Sequence, residues 1–142
     1  MKTTLTFFWA LPIMLLFAAC QKEIPTKMTA YFYTTDMPNN EDEYRLFVDG
    51  VDKGILPSIN LPFDSANPND SIFRSQSLKL EFMSGPHRFE SRLNGTLICA
   101  SEMDFYFKKR KTGAKIYTPK GASGMKSYDN PQVYLVWLAA EK

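Results

Sequence analysis

Polar and apolar residues alternate along several segments of the chain, which is the pattern of strands with one buried face. In residues 77–82 a period of two puts Leu78, Leu80 and Phe82 on one face and the polar residues on the other. This segment therefore predicts a half-buried antiparallel strand.

Three further segments predict strands. Residues 28–35 and 44–49 are rich in aromatic and β-branched residues and lie between turn formers. Residues 132–140 are apolar on both faces, as in a central strand. No stretch after residue 19 shows the apolar stripe of an amphipathic helix of ten residues. We therefore expect an all-β fold, an antiparallel β-sandwich formed by residues 28–142 as one domain.

Residues 94–95, Asn-Gly, lie between two such alternations and predict a tight hairpin turn. A two-residue loop sets the register of the flanking strands, with the pairs Leu93–Thr96, Ser91–Ile98 and Phe89–Ala100. Phe89, Leu93, Ile98 and Ala100 then form the core face. The same register places Cys99 on the outer face, opposite Glu90. It also pairs His87 with Glu102.

The segment before Cys20 has the pattern of an export signal. Lys2 gives a positive start, and residues 5–17 are thirteen residues without a charge. That length is short of the roughly 20 apolar residues that span a bilayer. The small residues Ala18 and Ala19 precede Cys20, as signal peptidases require. Residues 1–19 are thus predicted to be a leader.

Residues 16–20, Leu-Phe-Ala-Ala-Cys, resemble the cleavage junction of bacterial lipoprotein precursors, although Phe17 stands where the usual pattern has Leu. The resemblance implies that Cys20 carries the lipid and that residues 20–27 are a tether to the membrane. Two or three acyl chains anchor a protein stably. The alternative is an ordinary cleaved signal whose first mature residue happens to be cysteine.

Residues 21–23, Gln-Lys-Glu, resemble the short charged signal that follows the lipidated cysteine in surface lipoproteins of Bacteroidota. That resemblance implies an outer-membrane protein displayed on the cell surface. Ile24 interrupts the acidic run, so an anchored protein facing the periplasm is the alternative.

Residues 47–57, which contain Val-Asp-Gly and Gly-Ile-Leu-Pro, are followed by a hydrophobic strand and then by Gly-Pro-His at residues 85–87. This order is similar to the PEGA module, a small β-sandwich of bacterial surface proteins. The resemblance favours a sandwich over a barrel. The alternative is that these dipeptides are ordinary turns of an unrelated β domain, whether Ig-like or another sandwich.

Charge is unevenly distributed. Residues 21–70 hold nine acidic and four basic residues, whereas residues 71–142 hold six acidic and twelve basic residues. This asymmetry favours electrostatic pairing with a partner or within the fold. With Cys20 lipidated, Cys99 is the remaining thiol, so no internal disulfide is expected.

Residues for catalysis or metal binding are sparse. His87 is the single histidine and follows Gly85-Pro86, where a turn residue is expected. Glu90 and Glu102 are candidate carboxylates for hydrolysis. Neither a zinc cluster nor a phosphate loop is present, so we expect no cofactor. Oxygen ligands in residues 64–70 suggest calcium, but no glycine permits the sharp turn of an EF-hand loop.

The polar insert at residues 58–76 contains Asp-Ser-Ala at residues 64–66 and Asp-Ser-Ile at residues 70–72. Both tripeptides resemble the sites at which Bacteroidota attach O-glycans to exported proteins. The resemblance implies glycans on Ser65 and Ser71. The alternative is a solvated, proline-containing loop.

Five cations lie within residues 108–115, around a predicted turn at Thr112-Gly113. Aromatic residues at 105–107 precede them, a combination also found in nucleic-acid, lipid or glycan sites. Export makes nucleic acid the least expected partner. A solvated hairpin tip is the expected structure.

Together these patterns predict a lipid-anchored cell-envelope protein that acts as a binding or accessory module. The expected partners are the membrane, through the anchor at Cys20, and an envelope protein or a glycan. Two alternatives belong to other classes. One is a small envelope hydrolase that uses carboxylates, and the other is an assembly subunit with an unpaired edge strand.

The anchor gives a first prediction. Replacing Cys20 with Ser removes the sulfur that would carry the lipid, so acyl labelling should be lost and the protein should leave the membrane fraction. Labelling with a radioactive fatty acid, followed by fractionation, measures both. Cys99→Ser is the matched control and should stay labelled. Acylation that persists in Cys20→Ser would refute the anchor.

Overall fold

The computed structural model describes residues 24–39, 41–60, 70–108, 111–128 and 132–141. Within them the chain forms nine strands and one helix. In chain order these elements are β1 (Lys27–Tyr33), β2 (Tyr44–Val48), β3 (Val51–Ile55), α1 (Asp70–Gln76), β4 (Leu78–Met83), β5 (Gly85–Leu93), β6 (Thr96–Lys108), β7 (Lys111–Lys120), β8 (Ala122–Ser127) and β9 (Val133–Ala139). The predicted all-β fold is confirmed.

The strands form two sheets that pack face to face as a sandwich. The four-stranded sheet has the order β4-β1-β9-β8 and the five-stranded sheet the order β3-β2-β5-β6-β7. The predicted central position of the last strand is confirmed, because β9 lies between β1 and β8. The sheets are not wholly antiparallel, since β1 and β9 run parallel.

The main core lies between the two sheets. Every second residue of β1 points into it, so that Met28, Ala30 and Phe32 are fully buried. Phe32 stacks on Phe89 from the opposite sheet, with 5.0 Å between ring centroids. Burial of such aromatic and aliphatic side chains is the main source of stability in a sandwich of this size.

A second, smaller core covers the other face of the four-stranded sheet. Tyr33 and Leu135 point to this side, and Phe73 of α1 packs on Tyr33 with 5.1 Å between ring centroids. Ile59 also contributes to it. The alternative of a purely solvated loop does not hold for the described parts of this insert, residues 58–60 and 70–76, because Ile59 and Phe73 cover an apolar sheet face.

The Asn-Gly turn is confirmed. Asn94 and Gly95 have φ values of 49° and 84°, the left-handed conformation that this hairpin turn requires. The first predicted pair, Leu93 with Thr96, is present. Asp49 and Gly50 form an equivalent turn between β2 and β3, with φ values of 51° and 81°.

The rest of the predicted hairpin register is wrong, because an irregularity between Ser91 and Arg92 adds one residue to β6. Ser91 faces Cys99, and Phe89 faces Ser101. Cys99 consequently points into the core and is fully buried. Beyond the irregularity the remaining pairs are also shifted by one residue: His87 faces Met103 and Arg88 faces Glu102.

The predicted turn at Thr112-Gly113 is also wrong. Both residues lie in β7, where Gly113 faces Tyr106 of β6. A side chain at Gly113 would collide with the Tyr106 ring, so glycine lets that ring lie across the strand. Lys108 and Lys111 are the last pair of this hairpin, and residues 109–110 lie outside the described part of the chain.

Gly121 marks the crossing from the five-stranded to the four-stranded sheet. Its φ is 74°, and a Cβ atom there would lie 2.5 Å from the Ala139 carbonyl oxygen and 2.9 Å from the Cys99 Cβ. The carbonyl belongs to the backbone at the end of β9 and cannot move aside cheaply. Both the backbone conformation and the space at this position therefore require glycine.

Comparing two glycines tests this requirement. Gly95→Ala adds only the strain of a positive φ, since nothing lies within 4 Å of the added Cβ, and should cost about 1 kcal/mol of unfolding free energy. Gly121→Ala adds the same strain and a collision, and should cost about 3 kcal/mol. Chemical denaturation of the two variants measures both values. Equal losses would contradict the role given to Gly121.

Candidate functional site

The outer face of the five-stranded sheet carries a ladder of charged residues. Along β5 the residues Phe89 and Ser91 point into the core and are fully buried. Arg88, Glu90 and Arg92 alternate with them and therefore point outward. Their row lies beside Phe47 of β2, whose ring is 4.5 Å from the Arg92 guanidinium carbon.

Glu90 is clamped between the two arginines. Its side chain is only 9% exposed, although it lies on an outer face. Arg88 Nε donates to Glu90 Oε1 over 2.7 Å, and Arg92 Nη2 donates to Oε2 over 2.6 Å. The hydrogen bond from Arg88 lowers the pKa of Glu90; burial opposes this effect, and Arg92 adds to the lowering. Glu90 is therefore held as a carboxylate.

This clamp bears on the hydrolase alternative. A general acid needs a pKa raised toward the working pH, and the pKa of Glu90 is shifted the opposite way. Arg88 also reaches Glu102, with Nη1 3.5 Å from Oε1, and so connects the two carboxylates as a cation. Glu90 and Glu102 form a charge network with Arg88, and Glu90 is not placed to supply a proton.

A shallow groove lies next to this network, across β5, β6 and β7. Its volume is about 220 Å³, and its lining residues are Pro86, Glu102, Met103, Asp104, Lys115, Ile116 and Tyr117. Tyr117 is 65% exposed, whereas Ile116 faces the buried Met103 and its side chain lies on the other face of β7. The groove thus presents apolar surface to solvent on a sheet face that is otherwise strongly charged.

The strand register explains how the groove is formed. Asp104 faces Pro86 on one side and Lys115 on the other, and Glu102 faces Tyr117. Pro86 and Tyr117 are therefore the apolar walls, and the charged side chains project between them. Within the described residues neither Asp104 nor Lys115 makes an ion pair, so both keep their polar atoms open to a ligand.

Glu102 and Lys115 were singled out from the sequence, whereas Pro86, Asp104 and Tyr117 were not recognised as site residues. Alternation at residues 115–118, Lys-Ile-Tyr-Thr, is a strand signal that points to Tyr117. The side of the sheet that Tyr117 occupies depends on its pairing with Glu102, which no local pattern specifies.

The aromatic residues near the basic stretch do not form one surface. Phe105 is fully buried, and Phe107 packs against the core. Tyr106 alternates with them and lies over Gly113 on the outer face. An interleaved platform of stacked rings and cations is therefore not formed by residues 105–107.

His87 ties two turns together at one end of the sandwich. Its Nε2 donates to the Met83 carbonyl over 2.8 Å, and its Nδ1 lies 2.7 Å from Asp49 Oδ2. The Arg88 backbone N–H donates to the other Asp49 oxygen over 2.8 Å. His87 lies in β5 beyond the turn, and its contacts are structural.

Cys99 is a structural thiol. Burial raises its pKa to about 11, and its Sγ donates to the Ala122 carbonyl over 3.4 Å. A buried thiol with a raised pKa is a poor nucleophile. The expected position of Cys99 on the outer face is wrong, because the side chain is fully buried in the core.

Several predicted sites lie outside the described residues. Cys20, Ser65 and the leader at residues 1–19 are among them, and Ser71 is the second residue of α1. In the described part of the chain no group of three His, Cys, Asp or Glu residues could hold a metal ion. No helix there has the length and apolar character needed to cross a membrane.

Asp49 gives a prediction of pH dependence. Burial tends to raise the pKa of Asp49, but hydrogen bonds from Arg88 and His87 hold it below its ordinary value of 3.8. The charged Asp49 carboxylate therefore stabilises the fold at pH values above 3.8. This stabilisation is lost as the pH falls through the folded-state pKa of Asp49.

Asp49→Asn removes the charge, and asparagine tolerates the positive φ at this position. At about pH 5 the variant should be less stable by about 0.5 to 1 kcal/mol, the usual range for an exposed charged contact. The difference should be smaller at about pH 2, below the ordinary pKa of Asp49, because it is lost as the pH falls through the lowered folded-state pKa. Urea denaturation at both pH values measures it. A gap of unchanged size in acid would contradict the role of the charge.

Comparison with known proteins identified no relative of this chain. No protein-family model, no curated protein and no solved structure matches this chain. Proposals about its ligand and location therefore depend on its own residues.

Proposed function

We propose that this chain is a lipid-anchored binding module of a bacterial cell envelope, and that its ligand contacts the groove between Pro86 and Tyr117. The groove carries the proposal, because it combines exposed apolar walls with two charged side chains, Asp104 and Lys115, that make no ion pair within the described residues. The anchor is supported by the lipoprotein-like junction that ends at Cys20.

The shape of the groove favours a surface ligand. Its volume of about 220 Å³ is below the roughly 300–1,000 Å³ of enclosed small-molecule sites. A single ring from a longer polymer fits such a space better than a whole buried metabolite. This agrees with a protein that holds part of an extended envelope molecule.

The chemistry of the groove favours a glycan. A sugar ring has a C–H face that packs on an aromatic ring such as Tyr117, and hydroxyl groups that need both acceptors and donors. Asp104 and Glu102 supply acceptors, and Lys115 supplies donors. Asp104 beside Lys115 and Glu102 beside Arg88 leave the groove without a net positive charge, which disfavours a polyanion, so the proposed ligand is a glycan without strong negative charge.

Location follows from the leader and the residues after it. The charged run at residues 21–23 supports display on the outer face of the outer membrane, where an envelope glycan would be met. Glycans on Ser65 and Ser71 are part of the same proposal, because both sites resemble those of exported Bacteroidota proteins. An accessory role beside a larger envelope protein fits the small size of the domain.

Two substitutions of Tyr117 test the proposal. Tyr117→Ala removes the aromatic wall and should weaken binding of envelope polysaccharide at least about tenfold, because ring stacking contributes on the order of 1 kcal/mol or more. Tyr117→Phe keeps the ring and should keep most of the affinity. Titration of the protein against purified neutral and acidic polysaccharides measures both variants.

Met37→Ala is the matched control, because Met37 is an exposed apolar residue, 63% accessible, that does not line the groove. It should bind as the unsubstituted protein does. Equal binding by Tyr117→Ala and Met37→Ala would refute the groove as the site. Absence of binding to every polysaccharide would refute a glycan ligand.

A further inference from the structure

The N-terminal segment enters the sandwich at one end, which we call the tether end. There the Thr26 N–H donates to Ser84 Oγ over 2.9 Å, and the Ser84 N–H donates to the Thr26 carbonyl over 2.7 Å. Ser84 is the single residue between β4 and β5. The start of β1 therefore lies beside the turn at which the chain passes from one sheet to the other.

The hairpin of β6 and β7 projects past the tether end. β5 starts at Gly85, directly after Ser84, and Gly85 pairs with Phe105 of β6. β6 continues for three more residues, which within the described chain pair with β7 alone, as far as Lys108 opposite Lys111. At about 3.4 Å per residue, the hairpin reaches about 10 Å beyond Gly85.

The tip of this hairpin is strongly basic. Residues 108–111, which we call the basic tip, have the sequence Lys-Lys-Arg-Lys, and residues 105–128 contain no acidic residue. Lys108 and Lys111 are both exposed. Neither of them makes an ion pair within the described residues. The described part of the fold thus leaves the positive charge of the tip unneutralised.

The strand register sets two of these cations against each other. Lys108 and Lys111 are directly opposite partners in the antiparallel ladder. Like charges at such positions destabilise a strand pair. An anionic surface beyond the tip would offset this repulsion, because it attracts both ammonium groups. The hairpin should therefore be more stable against such a surface than in water.

The length of the chain limits how far this end can be from the membrane. Ile24 is the fourth residue after Cys20, and an extended chain spans at most about 14 Å over four residues. A lipid on Cys20 therefore keeps the tether end within roughly that distance of the bilayer, a gap that the projecting hairpin nearly bridges. Ile24 and Met83, 73% and 49% exposed, add apolar surface at the same end, as interfacial proteins do.

We propose that the basic tip binds the anionic lipid headgroups of the membrane that holds the anchor. The tether and the tip then contact the same bilayer, so the sandwich is oriented with its tether end toward the membrane. The groove between Pro86 and Tyr117 is held close to the membrane surface, because Pro86 directly follows Gly85. This proposal rests on the proposed anchor at Cys20, but not on the ligand of the groove.

Vesicles of two compositions test this contact. The full-length product, purified from cells in detergent, is reconstituted with phosphatidylcholine alone or with phosphatidylcholine and phosphatidylglycerol. Hydrogen exchange at residues 105–108 and 111–114 should slow at least about tenfold when phosphatidylglycerol is present, because headgroup contacts stabilise the hairpin. Exchange at residues 89–93 should not change. Added salt should remove the slowing.

Charge reversal at the tip provides the matched variants. K108E/K111E leaves the tip with two acidic and two basic residues, so the slowing should be lost. K79E/K120E is the control, because these lysines lie toward the opposite ends of β4 and β7, and it should keep the slowing. Equal exchange on both kinds of vesicle would overturn the proposal. Slowing by added polyglutamate, but not by phosphatidylglycerol, would overturn it in favour of an acidic protein partner.

Flotation of the vesicles separates this proposal from the anchor. An acylated protein floats with both kinds of vesicle, and the exchange rates then decide whether the tip binds lipid. A protein that floats only with phosphatidylglycerol present would refute the anchor and still support the tip. A protein that floats with neither would refute both.

Discussion

The pairing of β1 with β9 is the constraint on which the rest of the sandwich depends. Five residue pairs, from Thr29–Val133 to Tyr33–Trp137, join segments near opposite ends of the described chain. The Ala140 backbone N–H also donates to Asp36 Oδ2 over 2.6 Å, just beyond β1. Because these two strands supply both apolar cores, their pairing fixes the two faces of the four-stranded sheet together. Closing so long a loop is costly in chain entropy, so burial on both faces must offset that cost.

The sequence located those strands that are marked by a local pattern, either alternation within the strand or a turn beside it. Alternation in residues 77–82 predicted β4, and the Asn-Gly turn predicted the hairpin of β5 and β6. Three features were missed because they depend on distant residues. The irregularity at Ser91 and Arg92 leaves no mark in the local alternation. The parallel partner of β1 lies about a hundred residues away along the chain. Phe73 is a core residue because it packs on the apolar outer face of the four-stranded sheet, which is formed by distant strands.

In the candidate site, too, single residues were recognised from the sequence, but the contacts between strands were not. Glu90 and Glu102 were recognised as carboxylates, but their shared partner Arg88 was not. Arg88 faces Glu102 only because one added residue in β6 shifts the register between β5 and β6. The groove collects side chains from three strands, with Pro86, Asp104 and Lys115 in one cross-strand row. No spacing in the sequence predicts that row. Local pattern thus identified elements and single residues, whereas strand pairing determined which of them meet.

The position of β1 has a mechanical consequence. β1 is hydrogen-bonded along both edges, to β4 on one side and to β9 on the other. A tether at Cys20 would lead directly into β1, so a pull between membrane and ligand would act along the axis of this strand. Sheet hydrogen bonds run across the strand direction, and a pull along it must shear many of them together instead of opening them one by one. Unfolding under force is governed by that barrier, not by equilibrium stability. A module anchored in this way would keep hold of a tethered ligand under flow even if its free energy of unfolding were modest.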